Sequence, residues 1–371
     1  MQWLDQCNAS TTCVPRGRAT NVSRPSSRDE GETGDDRQLT SYVVRRVLGA
    51  IPLLLAIVVI IFFITRLVPG DPVSAMLPEN ATELDRQRMI ELYGMNDPVH
   101  VQFWKYLLQL LQGNLGTSFQ YRSSVSELLL RRLPATLDLA IASLFFGWIF
   151  GIALGAIASI KHNKWQDRTA SVVGLIGISA PTFWIGLLLI IYVAVPTGWF
   201  PTGGRLPSDV LPPGPTGMNF VDAIIRGDLG LFGETLRYVA LPAITLGAAM
   251  TGLLVRMTRS SMLEVLGDDY IRTARAKGAR ERTVNFRHAL RNAGRPVATV
   301  MGLEAASLLS GSIVVETIFS WPGLGQTLVN SVDFRDYPVI QATVLMFAVV
   351  FVLTNLAVDI AYCFIDPRIK Y

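Results

Sequence analysis

The sequence predicts an all-α protein that crosses a membrane six times. Three observations predict it: 50% of the 371 residues are hydrophobic, only 17% are charged, and the apolar residues gather in six long runs. An average soluble domain carries about 25% charged residues. A helix needs roughly 20 apolar residues to cross about 30 Å of hydrocarbon, and lipid offers no partner to open backbone. The runs are Val47 to Thr65, Leu139 to Ile160, Thr169 to Val195, Tyr238 to Val255, Pro296 to Val315 and Tyr337 to Val358, the fifth interrupted only by Glu304. Leu53 through Ile61 is apolar on every side, whereas the strands of a transmembrane barrel alternate over about 10 residues.

The first run is not a cleaved signal peptide. It is longer than a signal core and is followed by Arg66-Leu67-Val68-Pro69-Gly70-Asp71, with no small-residue cleavage site. Ahead of it, residues 1–40 include Ser23-Arg24-Pro25-Ser26-Ser27-Arg28-Asp29-Glu30-Gly31-Glu32, too polar to bury a core. This segment is expected to be a disordered tail, or the product of a start codon placed too far upstream. The chain then divides into a first spanning helix (41–68), an outer segment with short amphipathic helices (69–137) and a core of five spans (138–371) that contains a basic loop, 256–295.

Lys and Arg are retained on the cytoplasmic side of short loops. With the N-terminus inside, the inner segments hold 17 basic residues in about 67, and the outer ones 11 in about 133. Both termini are therefore expected in the cytoplasm. The overall surplus of +4 is too small for a nucleic-acid binder, which shows a concentrated basic face. His100, His162 and His288 are far apart, Cys7, Cys13 and Cys363 imply no disulfide framework, and no metal, nucleotide or nucleophile motif is present. No cofactor and no catalytic group is expected, so any energy source must lie on another chain.

In the outer segment, Thr82 three residues ahead of Asp85 resembles a capping box, opening a helix that ends near Gly94. In Val101 to Leu111, Phe103, Leu107 and Leu111 recur at helical spacing with Trp104 and Leu108 beside them. Such a helix can lie flat at the membrane interface or pack on neighbouring spans. Residues 196–237 are rich in Pro and Gly and read as a loop that could meet an external partner. Pro181 is expected to kink the third span. Asp138 and Asp359, at span ends, are expected at the interface.

The loop between the fourth and fifth spans is the most specific stretch. The fourth span reads on as a helix to Gly267. Asp268 or Asp269 can cap a two-turn helix, Tyr270-Ile271-Arg272-Thr273-Ala274-Arg275-Ala276-Lys277, with Arg275 and Lys277 at its negative end and Gly278 placed to end it in the left-handed conformation. Thr273, Ala274 and Ala276 are small enough for another protein's groove to approach closely, and Tyr270 and Ile271 offer apolar anchors. The residues alone leave open a plain basic loop held inside by its charge.

This loop resembles the ATPase-contacting loop of ABC importer permeases, whose pattern is Glu-Ala-Ala, three residues, Gly, nine residues, Ile-x-Leu-Pro. The chain keeps Ala274, Gly278 and Leu290 and departs at Arg272, Thr273, His288 and Arg291. Tyr270 to Gly278 together with Arg287-His288-Ala289-Leu290-Arg291-Asn292-Ala293 is similar to the peptide/nickel branch, first-permease subunit. The resemblance extends through Pro69-Gly70-Asp71-Pro72, Gly94-x3-Pro98, Asn114-Leu115-Gly116-x-Ser118, Arg132-Leu133-Pro134-Ala135-Thr136-Leu137, Pro181-Thr182-Phe183-Trp184-x-Gly186, Leu241-Pro242-Ala243, Arg259-x2-Met262, Glu316-x2-Phe319-Ser320-Trp321-Pro322-Gly323-Leu324-Gly325 and Asp366-Pro367-Arg368.

It implies a type I importer permease fold in the inner membrane. It also implies half of a pore shared with a homologous permease, two cytoplasmic ATPase subunits, an external solute-binding protein and a peptide, glutathione or nickel-complex substrate. Tyr270, Arg272, Thr273, Ala274, Arg275, Ala276, Lys277, Gly278, His288 and Leu290 would then contact the ATPase. Glu304 is the candidate on the translocation path, since a carboxylate inside a span is costly. It could meet a substrate's amino group, pair with the partner permease, or be protonated and structural. A self-sufficient secondary transporter would show internal repeats and paired intramembrane charges, which this sequence lacks.

Overall fold

A computed structural model describes residues 32–67, 82–92, 96–207 and 214–365. Its elements, in order, are α1 (Glu32–Leu67), α2 (Glu83–Leu92), α3 (Val99–Leu111), α4 (Val125–Ile160), α5 (Trp165–Ser179), α6 (Thr182–Leu189), α7 (Asn219–Arg226), α8 (Leu229–Leu266), α9 (Asp269–Ala276), α10 (Arg291–Ile318), α11 (Leu324–Asp333) and α12 (Tyr337–Ile365). A π-helical turn, Ile190–Ala194, extends α6, and a π-helix, Val284–Leu290, precedes α10. Among the described residues there is no strand, only an isolated bridge between Thr117 and Ser124. Residues 46–370 form one unit; of the first 45, 32–45 are helical, so the first helix begins inside the polar segment 1–40. Pro69 to Pro72, Gly94 and Asp366 to Arg368 lie outside the described residues.

Each predicted run falls in helix, but the spans are not six straight rods. Among the described residues, Arg45–Leu67, Val125–Ile160, Leu229–Leu266 and Tyr337–Ile360 are long and apolar enough to cross a membrane, and Trp165–Ser179 with Thr182–Thr197 meets the same test as a pair bent by 112°, the geometry of a broken span or a re-entrant loop. The bend exceeds the kink expected at Pro181. Proline disfavours helical backbone in the residue before it, and Ala180 is extended (φ −79°, ψ 133°) with Pro181 as the N-cap of α6. The fifth run lies in α10.

The core forms where α4, α8 and α10 meet, and glycine sets the spacing. Gly147, Gly151 and Gly155 recur every four residues on α4 and face Met250, Leu254 and Thr258 on α8. A Cβ at Gly151 would sit 2.6 Å from the Leu254 Cβ, and one at Gly155 2.6 Å from the Thr258 Cβ. On the other side of α8, a Cβ at Gly252 would lie 2.3 Å from the carbonyl oxygen of Gly174 in α5. Lipid supplies no hydrophobic drive between helices, so close backbone approach through small residues supplies the packing. Leu246, Met250 and Leu254 of α8 then join Leu139 of α4 and Leu308, Phe319 and Trp321 in one buried cluster.

The aromatic helix of the outer segment divides its faces. Phe103 and Tyr106 of α3 pack on Phe62 of α1, with ring centroids 5.1 and 5.6 Å apart, and Arg66 hydrogen-bonds Gln102 Oε1. Trp104, Leu108 and Leu111 face outward.

Candidate coupling site and its supports

α8 is 38 residues long and carries the fourth run without a break to Leu266. Gly267 stops it, and Asp268, extended at φ −68° and ψ 149°, turns the chain into the eight-residue α9. Asp268 is the N-cap residue, without a side-chain cap bond. At the other end Gly278 has φ +79°. Its N–H donates to Arg275 O (2.9 Å), and the Ala279 N–H donates to Ala274 O (3.1 Å). That pair of bonds is a Schellman motif, which needs a left-handed residue at the glycine position. Two glycines therefore bound a helix set off from its neighbours.

Side chains on α9 divide by face. Ile271 is fully buried, so the expectation that Tyr270 and Ile271 together anchor a partner is corrected: adjacent residues point about 100° apart on a helix, and Ile271 seats α9 on its own protein. Tyr270 is exposed, and its hydroxyl accepts a hydrogen bond from Asn292 Nδ2 (2.7 Å). Arg272, Thr273, Arg275, Ala276 and Lys277 are exposed and Ala274 half-buried. Arg275 pairs with Glu281 (2.9 Å), across the turn after Gly278. The Thr273 hydroxyl donates to the Asp269 carbonyl (3.0 Å), so outward it offers its methyl and an acceptor oxygen but no donor. The free face of α9 is thus basic at its edges and small at its centre.

His288 and Leu290 sit apart from that face, in the π-helix. Leu290 is half-buried and packs on the cluster of Ala156, Met262, Ala289 and Ala293. Glu304 is half-buried in α10, its carboxylate accepting at 3.4 Å from Ser307 Oγ, and among the described residues it makes no ion pair.

At the opposite end of the bundle, buried carboxylates hold the loops, and sequence reasoning missed them. Asp138, expected at the interface, is buried inside the protein, 1% exposed. It pairs with Arg205 (2.5 Å) and accepts from the Asn219 N–H (2.7 Å), so the Pro- and Gly-rich segment is fastened to α4. Asp359, also expected at the interface, is half-buried at the far end of α12 from these loops, where it pairs with Arg46 of α1 (3.0 Å). Glu316 is fully buried and accepts from Thr136 Oγ1 (2.8 Å), Gly325 N (2.7 Å) and Gln326 N (3.1 Å). Trp321 Nε1 donates to Ala135 O (2.8 Å). A Cβ at Gly323 would lie 2.4 Å from a Glu316 carboxylate oxygen, which is why Trp-Pro-Gly-Leu-Gly reads as it does. Asp336 Oδ2 accepts from Ser118 Oγ (2.6 Å), Phe119 N (3.0 Å) and Gln120 N (3.1 Å). Only Glu316 carried a signal in the sequence, its place ahead of the Trp-Pro-Gly-Leu-Gly turn, which supplies N–H donors.

Comparison with known proteins agrees with this architecture. Residues 151–371 match the family described as binding-protein-dependent transport system inner membrane component, and residues 39–140 match its N-terminal region. The glutathione transport system permease protein GsiC of Salmonella paratyphi A is 42% identical over 333 residues, 90% of this chain and 100% of that protein. The dipeptide transport system permease protein DppB of Alkalihalophilus pseudofirmus is 41% identical over 334 residues, 90% of this chain and 100% of the relative. The oligopeptide transport system permease protein AppB of Bacillus subtilis is 42% identical with the same coverage. A multi-pass helical bundle, a separately capped helix between two of its spans and full-length likeness to transport permeases place the chain in one family: it is a membrane permease component of the binding-protein-dependent (ABC) transport systems.

Proposed function

We propose that the chain is the first permease subunit of an ATP-driven importer for short peptides, glutathione-like peptides included. It forms half of a pore with a homologous permease in the cytoplasmic membrane, with both termini in the cytoplasm. An external binding protein delivers substrate to the end fastened by Asp138, Glu316 and Asp336. Two ATPase subunits act from the basic end, one of them on α9. The carrying observation is α9 itself: a short helix bounded by Gly267 and by Gly278 at φ +79°, seated on buried Ile271, with Arg272, Arg275 and Lys277 on its free side. Peptide transport in the names of the relatives supports the substrate class, and the concentration of Lys and Arg in 256–295 supports the orientation.

Coupling of this kind requires the ATPase to contact α9 differently in the two pore states. Glu304 is offered to the path from α10. The test is co-purification of the tagged chain from its native membrane, followed by reconstitution with the recovered binding protein. An ATPase subunit and ATP-dependent uptake of a labelled di- or oligopeptide are expected. Uptake without ATP, or a preparation free of ATPase, refutes the reading.

A further inference from the structure

We propose that Asp167 and Arg259 are positioning residues of the coupling machinery, a strut that makes α4 and α5 part of the body that α9 moves. This rests on the reading of α9 as the ATPase contact. Asp167 lies in the first turn of α5 and Arg259 on α8, past the end of the apolar run at Val255. Arg259 grips the carboxylate with both arms of its guanidinium, Nε at 2.6 Å from Oδ1 and Nη2 at 3.0 Å from Oδ2. The Asp167 side chain is 5% exposed and that of Arg259 30%. The two-pronged geometry fixes orientation as well as distance.

The turn between α4 and α5 is shaped around the same carboxylate. Asn163 takes a left-handed conformation, φ 62°, which asparagine tolerates better than most residues. This aims its N–H at Asp167 Oδ2 (2.9 Å), and His162 Nδ1 stands 3.3 Å from the same oxygen. One carboxylate therefore joins three elements: the end of α4 through its turn, α5 through its own backbone, and α8 through Arg259.

Position gives the strut its use. Arg259 is eight residues before Gly267, about 12 Å along the helix at 1.5 Å per residue. α9 reaches the spans on two sides, through this stretch of α8 and through the π-helix into α10, where Asn292 donates to the Tyr270 hydroxyl; the strut acts on the first. Within the apolar layer, α8 is locked to α4 and α5 by glycine contacts, Gly151 and Gly155 on one side and Gly174 and Gly177 on the other. The glycine contacts to α5 end at Val255, and the ion pair continues that seam one turn further, while α4 stays packed on α8 through Gly155 on Thr258 and Ala156 beside Met262. With the pair, α5 moves with α4 and α8; without it, α8 can shift while α5 stays behind.

The test uses the full transporter, reconstituted with its ATPase and binding protein, and reads substrate taken up per ATP hydrolysed in each assembled complex. Asp167→Asn and Arg259→Gln are each expected to lower that ratio by about 5- to 150-fold, the range of ordinary coupling energies, with hydrolysis retained. Because the two act as a pair, the double variant should be no worse than either single one. Arg259→Lys keeps the charge and folding but loses the fork, so it should fall between wild type and Arg259→Gln. Variants that assemble in lower yield but keep the wild-type ratio per complex overturn the strut, and so do losses that multiply in the double variant. A wild-type chain that brings down no ATPase overturns the α9 assignment instead.

Discussion

Replacing Gly252 with alanine places a methyl group where α5 and α8 touch backbone to backbone. The new Cβ would stand 2.3 Å from Gly174 O, 2.8 Å from Ile178 Cγ1 and 3.1 Å from Ile178 N. A carbon meets a carbonyl oxygen comfortably at about 3.3–3.6 Å, so the helices must part by about 1 Å. Two of the three neighbours are backbone atoms, which cannot rotate aside, and overpacking of this kind costs about 1–3 kcal/mol, sometimes more. Gly294→Ala in α10 supplies the control, since nothing lies within 4 Å of its Cβ and alanine is favoured over glycine in a helix by about 1 kcal/mol. Because the helix-propensity gain applies at both sites, the two variants should differ by the overpacking cost alone, about 1–3 kcal/mol. Thermal unfolding of the detergent-purified protein, followed by circular dichroism, should place Gly252→Ala several degrees below wild type and Gly294→Ala at or above it. Equal midpoints for the two variants would refute the claim that glycine sets the α5–α8 distance.

Gly278→Val puts a β-branched residue at φ +79°, a conformation costing such residues on the order of 1–3 kcal/mol; uptake should fall while ATP hydrolysis persists, and unchanged transport in reconstituted complexes would end the lever assignment. Arg205→Met strands the buried Asp138 carboxylate, a loss of about 3–5 kcal/mol when one member of a buried pair goes, read as a lowered unfolding temperature. Glu304→Gln should slow uptake of peptides with a free amino group more than that of amino-blocked ones; equal rates for both would remove the carboxylate from substrate recognition. Trp321→Phe removes the indole's hydrogen bond to the Ala135 carbonyl, which keeps its helical partner, at a cost of about 0.5–1.5 kcal/mol, and limited proteolysis should then cut nearer residues 316–325.

Much of this was legible in the sequence because it depends on local chemistry. The apolar runs, the stop at Gly267 and the left-handed turn at Gly278 follow from composition and from single residues whose backbone preferences are strong. The break at Ala180 was half legible: Pro181 announces a disturbance, but the 112° angle depends on what α5 and α6 pack against. Ile271 could not be told from Tyr270, since both are large and apolar and only the underlying surface decides which one is buried. The pairs Asp138 with Arg205 and Asp167 with Arg259 join residues 67 and 92 positions apart. No spacing rule connects such residues until the helices are placed, so an acid at a span end looked interfacial by default.

The π-helix at Val284–Leu290 has a consequence for how the sequence on either side is read. A π turn holds more residues than an α turn, so residues after it are out of phase with those before it by about 100° for each residue gained over 3.6 per turn. The coupling segment and α10 therefore cannot be drawn on one helical wheel. Deleting a single residue between 284 and 290 would let the stretch relax to α-helix and leave α10 close to where it stands, because the π turn already absorbs the extra residue; the same deletion in the α-helical stretch after Arg291 would instead turn Glu304 about a quarter of a circle and draw it about 1.5 Å along the axis.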